Sequence, residues 1–131
     1  MPSPTPPPTT GRVLVVDDDE RVRVIFMRHL TTAGFDVVAV SGAAEGLRVL
    51  RDEGNISLVL LDFTMPEMNA LEFRKEQLLD GRISRIPVVI VTGTLVAAED
   101  KERLQAVDYL AKPVGREELI AVVVRYCRAA P

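Results

Sequence analysis

The sequence predicts an α/β fold, a doubly wound five-stranded parallel sheet with helices on both faces. Three observations carry this. Five short runs rich in Val, Leu and Ile punctuate the chain, helical apolar patterns lie between them, and most runs are continuous rather than alternating, as in strands covered on both faces. Strand and helix in alternation mean parallel pairing through right-handed crossovers.

The strands are expected at Val13–Val16, Val37–Val40, Leu58–Leu61, Val88–Val91 and Tyr109–Ala111. Between the first two, Val22, Ile25, Phe26, Leu30 and Ala33 recur at helical spacing, with Asp19 as cap and Gly34 as stop. Ser41 is expected to cap a second helix through Ala44, Leu47 and Leu50, ending near Gly54. A third runs from about Asn69 to Leu79 and stops at Gly81, with Leu71, Leu78 and Leu79 among its apolar residues. A fourth, near Val96–Ala106, has a thin apolar pattern. The last, Glu117–Arg128, carries Leu119, Ile120, Val122, Val123, Val124 and Tyr126, more apolar surface than one sheet face needs, and the surplus suits a partner interface.

Composition excludes several classes of function. The 131 residues are 47% hydrophobic and 27% charged, enough for one packed domain and too few for two. Sixteen basic against nineteen acidic residues give a net charge of −3, a poor footprint for nucleic acid. A single cysteine, Cys127, excludes an internal disulfide and a multi-cysteine metal site, and fits a reducing, cytoplasmic setting. No apolar run approaches the roughly 20 residues that span a bilayer, and no signal peptide is evident. Residues 1–10 (MPSPTPPPTT) read as a disordered or polyproline-like leader, leaving residues 11–131 as the domain.

In such sheets, ligands bind beyond the carboxyl ends of the strands. Here the first run ends in Asp17-Asp18-Asp19-Glu20, the third in Asp62, the fourth in Thr92 and the fifth in Lys112-Pro113. Taken alone, Asp17–Glu20 would be a solvated acidic helix start. Four matched strand ends point instead to one crevice. Carboxylates converging there repel, at roughly 4 kcal/mol per pair 4 Å apart in an effective dielectric near 20. An oxygen-only site of this kind suits Mg2+. A carboxylate nucleophile, a metal, the Lys112 ammonium and the Thr92 hydroxyl together make a phosphoryl-transfer site.

From Arg12 to Arg128 the chain resembles the receiver domain of two-component response regulators. The segments that carry the resemblance are Val13-Leu14-Val15-Val16-Asp17-Asp18-Asp19, Leu60-Leu61-Asp62-Phe63-Thr64-Met65-Pro66, Val88-Val89-Ile90-Val91-Thr92 and Asp108-Tyr109-Leu110-Ala111-Lys112-Pro113. The resemblance implies a flavodoxin-like strand order 2-1-3-4-5 and a phosphoacceptor role for Asp62. It further implies that Asp17, Asp18, Asp62 and the backbone carbonyl of Thr64 bind Mg2+, with Asp17 acting mainly through water. Lys112 and Thr92 would contact the phosphoryl group, Thr92 and the aromatic Tyr109 would form the switch, and Lys112–Pro113 would be cis. The implied partners are a histidine kinase or histidine phosphotransfer protein as donor and a downstream protein target. A homodimer through the face made by the fourth helix, fifth strand and fifth helix is a further expectation. No activity beyond promoting its own phosphorylation and dephosphorylation is implied, so the domain would not count as an enzyme.

The chain departs from the family pattern in places. Asn69-Ala70 stands where the family usually has Asp-Gly, which puts the loop beside Asp62 in question because glycine's access to φ > 0 is lost. The stretch from Thr92 to Lys112 is about two residues shorter than common, with Ala106-Val107 replacing a usual Gly-Ala, so the fourth helix is expected to be short or mobile. Thr64 and Thr94 occupy positions that tune phosphoryl lifetime in the family. Two rivals are a receiver-like scaffold that signals without phosphate and a Mg2+-dependent phosphohydrolase with an aspartate nucleophile. The latter needs a second acid two residues after the nucleophile, where Thr64 stands. His29, Met65, Met68 and Cys127 read as packing residues.

Overall fold

The computed structural model describes residues 11–127, so the leader, Arg128 and the chain end lie outside the described residues. Its elements are β1 (Arg12–Val16), α1 (Glu20–Thr32), β2 (Asp36–Val40), α2 (Ala43–Glu53), β3 (Ile56–Asp62), α3 (Ala70–Leu79), β4 (Val88–Thr92), α4 (Ala98–Leu104), β5 (Asp108–Ala111) and α5 (Arg116–Cys127). All strand pairs are parallel, in the order β2-β1-β3-β4-β5. The fold is the one the apolar runs predict.

Alternation within the buried strands builds two cores. Leu14, Val16, Val59, Leu61 and Ile90 face Leu47, Leu50, Phe73 and Leu104 of α2, α3 and α4. Their neighbours Val13, Val15, Leu58, Leu60, Val89 and Val91 face Phe26, Leu30, Leu119 and Val123 of α1 and α5. The helices on both faces thus cover a sheet whose inner strands have no polar side.

The helix ends show which local signals worked. Asp19 caps α1 by accepting from the Arg21 N–H at 2.9 Å, and Gly34, at φ 99°, follows the helix as a left-handed stop. Ser41 is not the cap of α2. Gly42 takes that position in extended conformation with no side-chain bond, and the Ser41 hydroxyl stands one residue too early to serve the first turn. Asn69 is the N-cap of α3 at φ −89°, in a reciprocal capping box with Glu72. The left-handed residue of this loop is Glu67 (φ 68°), so the Asn69-Ala70 pair needs no positive φ, and the Ala70 methyl is buried in the core. The helix ends at Leu79 with Asp80 as its cap, one residue before Gly81.

Helix α4 is shorter than the Val96–Ala106 pattern predicts. It has seven residues, lacks a side-chain N-cap, and closes on Gln105 at φ 48°. Its end is held by Arg74 of α3, whose guanidinium donates to the carbonyls of Leu104 (2.6 Å) and Gln105 (3.1 Å) and to Oε1 of Gln77 (2.6 Å). Gln77 in turn donates to the carbonyls of Ile83 and Ile86, both at 3.0 Å. These bonds satisfy carbonyls that a helix end and a tight loop would otherwise leave unpaired.

Helix α2 crosses β1 and α3 closely at Gly46. A Cβ there would stand 2.9 Å from Cγ2 of Val16 and 3.2 Å from Cε2 of Phe73. Gly46→Val is expected to lower unfolding stability by about 1–3 kcal/mol in urea titration, whereas Ala44→Val, on the exposed side of the same helix, is expected to lower it by under about 1 kcal/mol.

Candidate functional site

Asp17 follows β1, and Asp62 is the last residue of β3, the adjacent strand. With Val16 paired to Leu61, the two carboxylates leave the sheet side by side. Asp17 is 2% exposed and Asp62 4%, while Asp18 is exposed at the rim. One carboxylate oxygen from each of Asp17, Asp18 and Asp62 lies within 4.8 Å of the others.

Lys112 reaches this cluster from the end of β5. Its Nζ lies 3.0 Å from Oδ2 of Asp17 and 3.3 Å from Oδ1 of Asp62. The Lys112–Pro113 peptide is cis. Asp17 is also held from its own loop. Its Oδ1 accepts from the Asp19 N–H at 2.9 Å, and Nη1 of Arg23 donates to its main-chain carbonyl at 2.8 Å. Sequence reasoning missed Arg23; the available signal was a basic residue in the first turn of a helix that opens on acids.

The charges set the chemistry. Burial, and then the neighbouring Asp17 charge, push the Asp62 carboxyl up to about 7 against the opposing charge and hydrogen bond of Lys112. Burial also works against the Lys112 ammonium, but its contacts with Asp17 and Asp62 outweigh this and hold its pKa above the ordinary lysine value. Three carboxylates face one ammonium, which leaves the cluster short of positive charge. The donors are all hard oxygens, and their spacing fits a small divalent cation such as Mg2+.

The remaining predicted residues are less tightly gathered. Thr92 ends β4 and is buried, but its hydroxyl donates to the Thr94 carbonyl and accepts from the Thr94 N–H, both at 3.0 Å. That bond pattern ties Thr92 to its own loop rather than to Asp62. Thr64 is exposed, two residues beyond Asp62. Tyr109 sits half-buried on β5, paired in register with Ile90 of β4. The ammonium of Lys101 on α4 lies 5.2 Å from the Tyr109 ring centroid, a contact with no sequence signal. Met65 is buried, and Met68 packs against the core; Cys127 is buried, which pushes its thiol up to about 11 and leaves it unsuited to act as a thiolate.

The raised Asp62 pKa has a consequence for stability. The folded protein keeps this proton up to about pH 7, whereas the unfolded chain releases it near 3.8, so folding stability falls as pH rises between those values. In metal-free buffer Asp62→Asn is expected to match wild type below about pH 4 and to exceed it at pH 8 by on the order of 1–3 kcal/mol. Urea titrations of both proteins across that range measure the gap.

Comparison with known proteins agrees with this geometry. A family model described as the response regulator receiver domain matches residues 13–124. The two-component response regulator ORR5 of Oryza sativa subsp. japonica is 33% identical over 118 residues, covering 88% of each chain. Regulatory protein VirG of Agrobacterium fabrum is 31% identical over 122 residues, 91% of this chain but 47% of VirG. Among solved structures, a response regulator receiver protein from Pseudomonas putida superposes with a TM-score of 0.81 at 29% identity, covering 88% of this chain and 96% of that one. The receiver domain of sensor histidine kinase PA1611 from Pseudomonas aeruginosa, solved with a magnesium ion coordinated in its active-site cleft, gives a TM-score of 0.76 at 22% identity, covering 90% and 98%. With a sheet in the order β2-β1-β3-β4-β5 and a family match from Val13 to Val124, the chain belongs to the response regulator receiver domain family of two-component signal transduction.

Proposed function

We propose that Asp62 is the phosphoacceptor of this receiver domain and takes its phosphoryl group from a phosphohistidine on a histidine kinase or phosphotransfer protein. The observation that carries the reading is the buried Asp62 carboxylate set among Asp17, Asp18 and Lys112. An ionised Asp62 oxygen attacks phosphorus, the P–N bond breaks, and its electron pair stays on the imidazole nitrogen of the donor. Lys112 favours the ionised nucleophile and lies where it can follow an oxygen of the transferred group. Asp17, Asp18, Asp62 and the Thr64 carbonyl would hold Mg2+, which supplies positive charge against the phosphoryl oxygens.

Helix α1 offers the donor a docking face beside the site. Val24 is 49% and Ile25 45% exposed. Ile25 lines a concavity of about 330 Å3 with Val22, Phe26, Pro113, Val114 and the stem of Lys112. Arg21 and Arg28 are exposed on the same helix, so an apolar helical surface with acidic edges fits.

Once Asp62 carries the phosphoryl group, Thr92 exchanges its Thr94 bonds for a phosphoryl oxygen and Tyr109 moves into the vacated space. The surface of α4, β5 and α5 then changes its affinity for a downstream protein or a second copy. Val107, 44% exposed on this face, supports that assignment. The domain promotes only its own phosphoryl gain and loss. Among the described residues no helix is long and apolar enough to cross a membrane; we place the protein in the cytoplasm with its donor.

Incubation with acetyl phosphate or phosphoramidate and Mg2+, followed by intact-mass measurement, tests the reading. Wild type is expected to gain one phosphoryl group and Asp62→Asn none. No gain in wild type would favour a phosphate-independent scaffold, and multiple turnover of phosphate esters would favour a phosphohydrolase.

A further inference from the structure

Helix α4 is fastened by a side chain at one end only. Its N-terminus has no side-chain cap, while Arg74 fastens its last carbonyls. Arg74 is 4% exposed and spends its guanidinium on carbonyl oxygens of Leu104, Gln105 and Gln77. A cation at the negative end of a helix is a favourable anchor, and burial makes its loss expensive.

Lys101 lies midway along α4, and its ammonium sits 5.2 Å from the centroid of the Tyr109 ring. This is inside the roughly 6 Å range of cation–π attraction. Lys101 is exposed and Tyr109 half-buried, so the contact spans the face between α4 and β5. The contact belongs to the present position of the ring, and a ring that left it for Thr92 would have to change or give up that contact.

We infer that Lys101 is a latch, whose contact with the Tyr109 ring stabilises the unphosphorylated conformation and is given up on activation. The inference rests on the phosphoacceptor reading of Asp62 and deepens it, because it names a residue that sets the resting balance. A contact made only in the resting state opposes any ligand that selects the active state, and its removal tightens that ligand by the worth of the contact. For a partly exposed cation–π pair that is about two- to five-fold.

The chain has two tyrosines, Tyr109 and Tyr126, so 3-fluorotyrosine labelling gives two 19F signals, assigned with Tyr126→Phe. Titration with beryllofluoride and Mg2+ is expected to show Lys101→Gln binding about two- to five-fold tighter than wild type. Without any ligand, its Tyr109 signal is expected to shift toward the beryllofluoride-bound position, and Lys101→Arg to keep wild-type affinity and signal. A Lys101→Gln protein with wild-type affinity and signal overturns the latch, as does a Lys101→Arg protein that behaves like Lys101→Gln. Failure of the underlying reading looks different. Wild type and Asp62→Asn would then give the same flat titration, and both assignments would fall.

Discussion

The Lys112 ammonium stands between two carboxylates that water barely reaches, 3.0 Å from Asp17 and 3.3 Å from Asp62. Buried acids at the ends of adjacent strands repel by several kcal/mol at an effective dielectric near 20, and each contact with the ammonium returns a comparable amount. Without the lysine, the ends of β1 and β3 would carry uncompensated charge. With it, one cation serves two buried anions, and Asp18 adds a third acid at the rim. The compensation is partial, and the raised pKa of Asp62 is the sign of it. The pocket is built to gain from added positive charge, which is what a metal brings to phosphoryl chemistry. Lys112 also comes from β5, the far edge of the sheet, so the same ion pairs tie that edge back to β1 across two intervening strands.

Strand positions were legible because a sheet covered on both faces leaves an unmistakable run of Val, Leu and Ile, and the polar residue ending each run marks the crevice. The convergence of Asp17, Asp62 and Lys112 follows from parallel pairing alone, since all three follow or end strands that run the same way. Helix ends were legible where one side chain does the capping, as with Asp19 and Asn69. They were not legible where no side chain does it. Ser41 had the right chemistry one residue too early, and Gly42 holds the N-cap position with no side chain to bond the first turn. The Asn69-Ala70 pair looked like a missing glycine, yet the left-handed residue is Glu67, two positions upstream, and asparagine is a good cap in its own right.

Arg74 shows the opposite limit. An arginine in the middle of a helix reads as a solvated residue, and nothing local marks it as buried. Its burial depends on a long-range coincidence: the short segment between β4 and β5 leaves two carbonyls at the end of α4 without partners just where the α3 side chain passes. Sequence periodicity carries no record of such a pairing, because donor and acceptors lie about 30 residues apart.

These two features divide the molecule into a stiff part and a yielding part. Around Asp62 the strands are packed on both faces and the charges are held by short contacts, so under the proposed phosphoacceptor role a new phosphoryl group would not be met by sliding the sheet. Relief must come from groups held weakly. The Thr92 hydroxyl is bonded to Thr94 of its own loop, and Tyr109 lies one strand over, on the second residue of β5, beside a helix whose end is anchored by Arg74. The register keeps this connection short: Thr92 pairs with Ala111 at the end of β5, and Tyr109, opposite Ile90, lies two residues back along the same strand. The short α4 and its buried Arg74 anchor belong to this side of the molecule and leave the pocket of Asp17, Asp62 and Lys112 untouched.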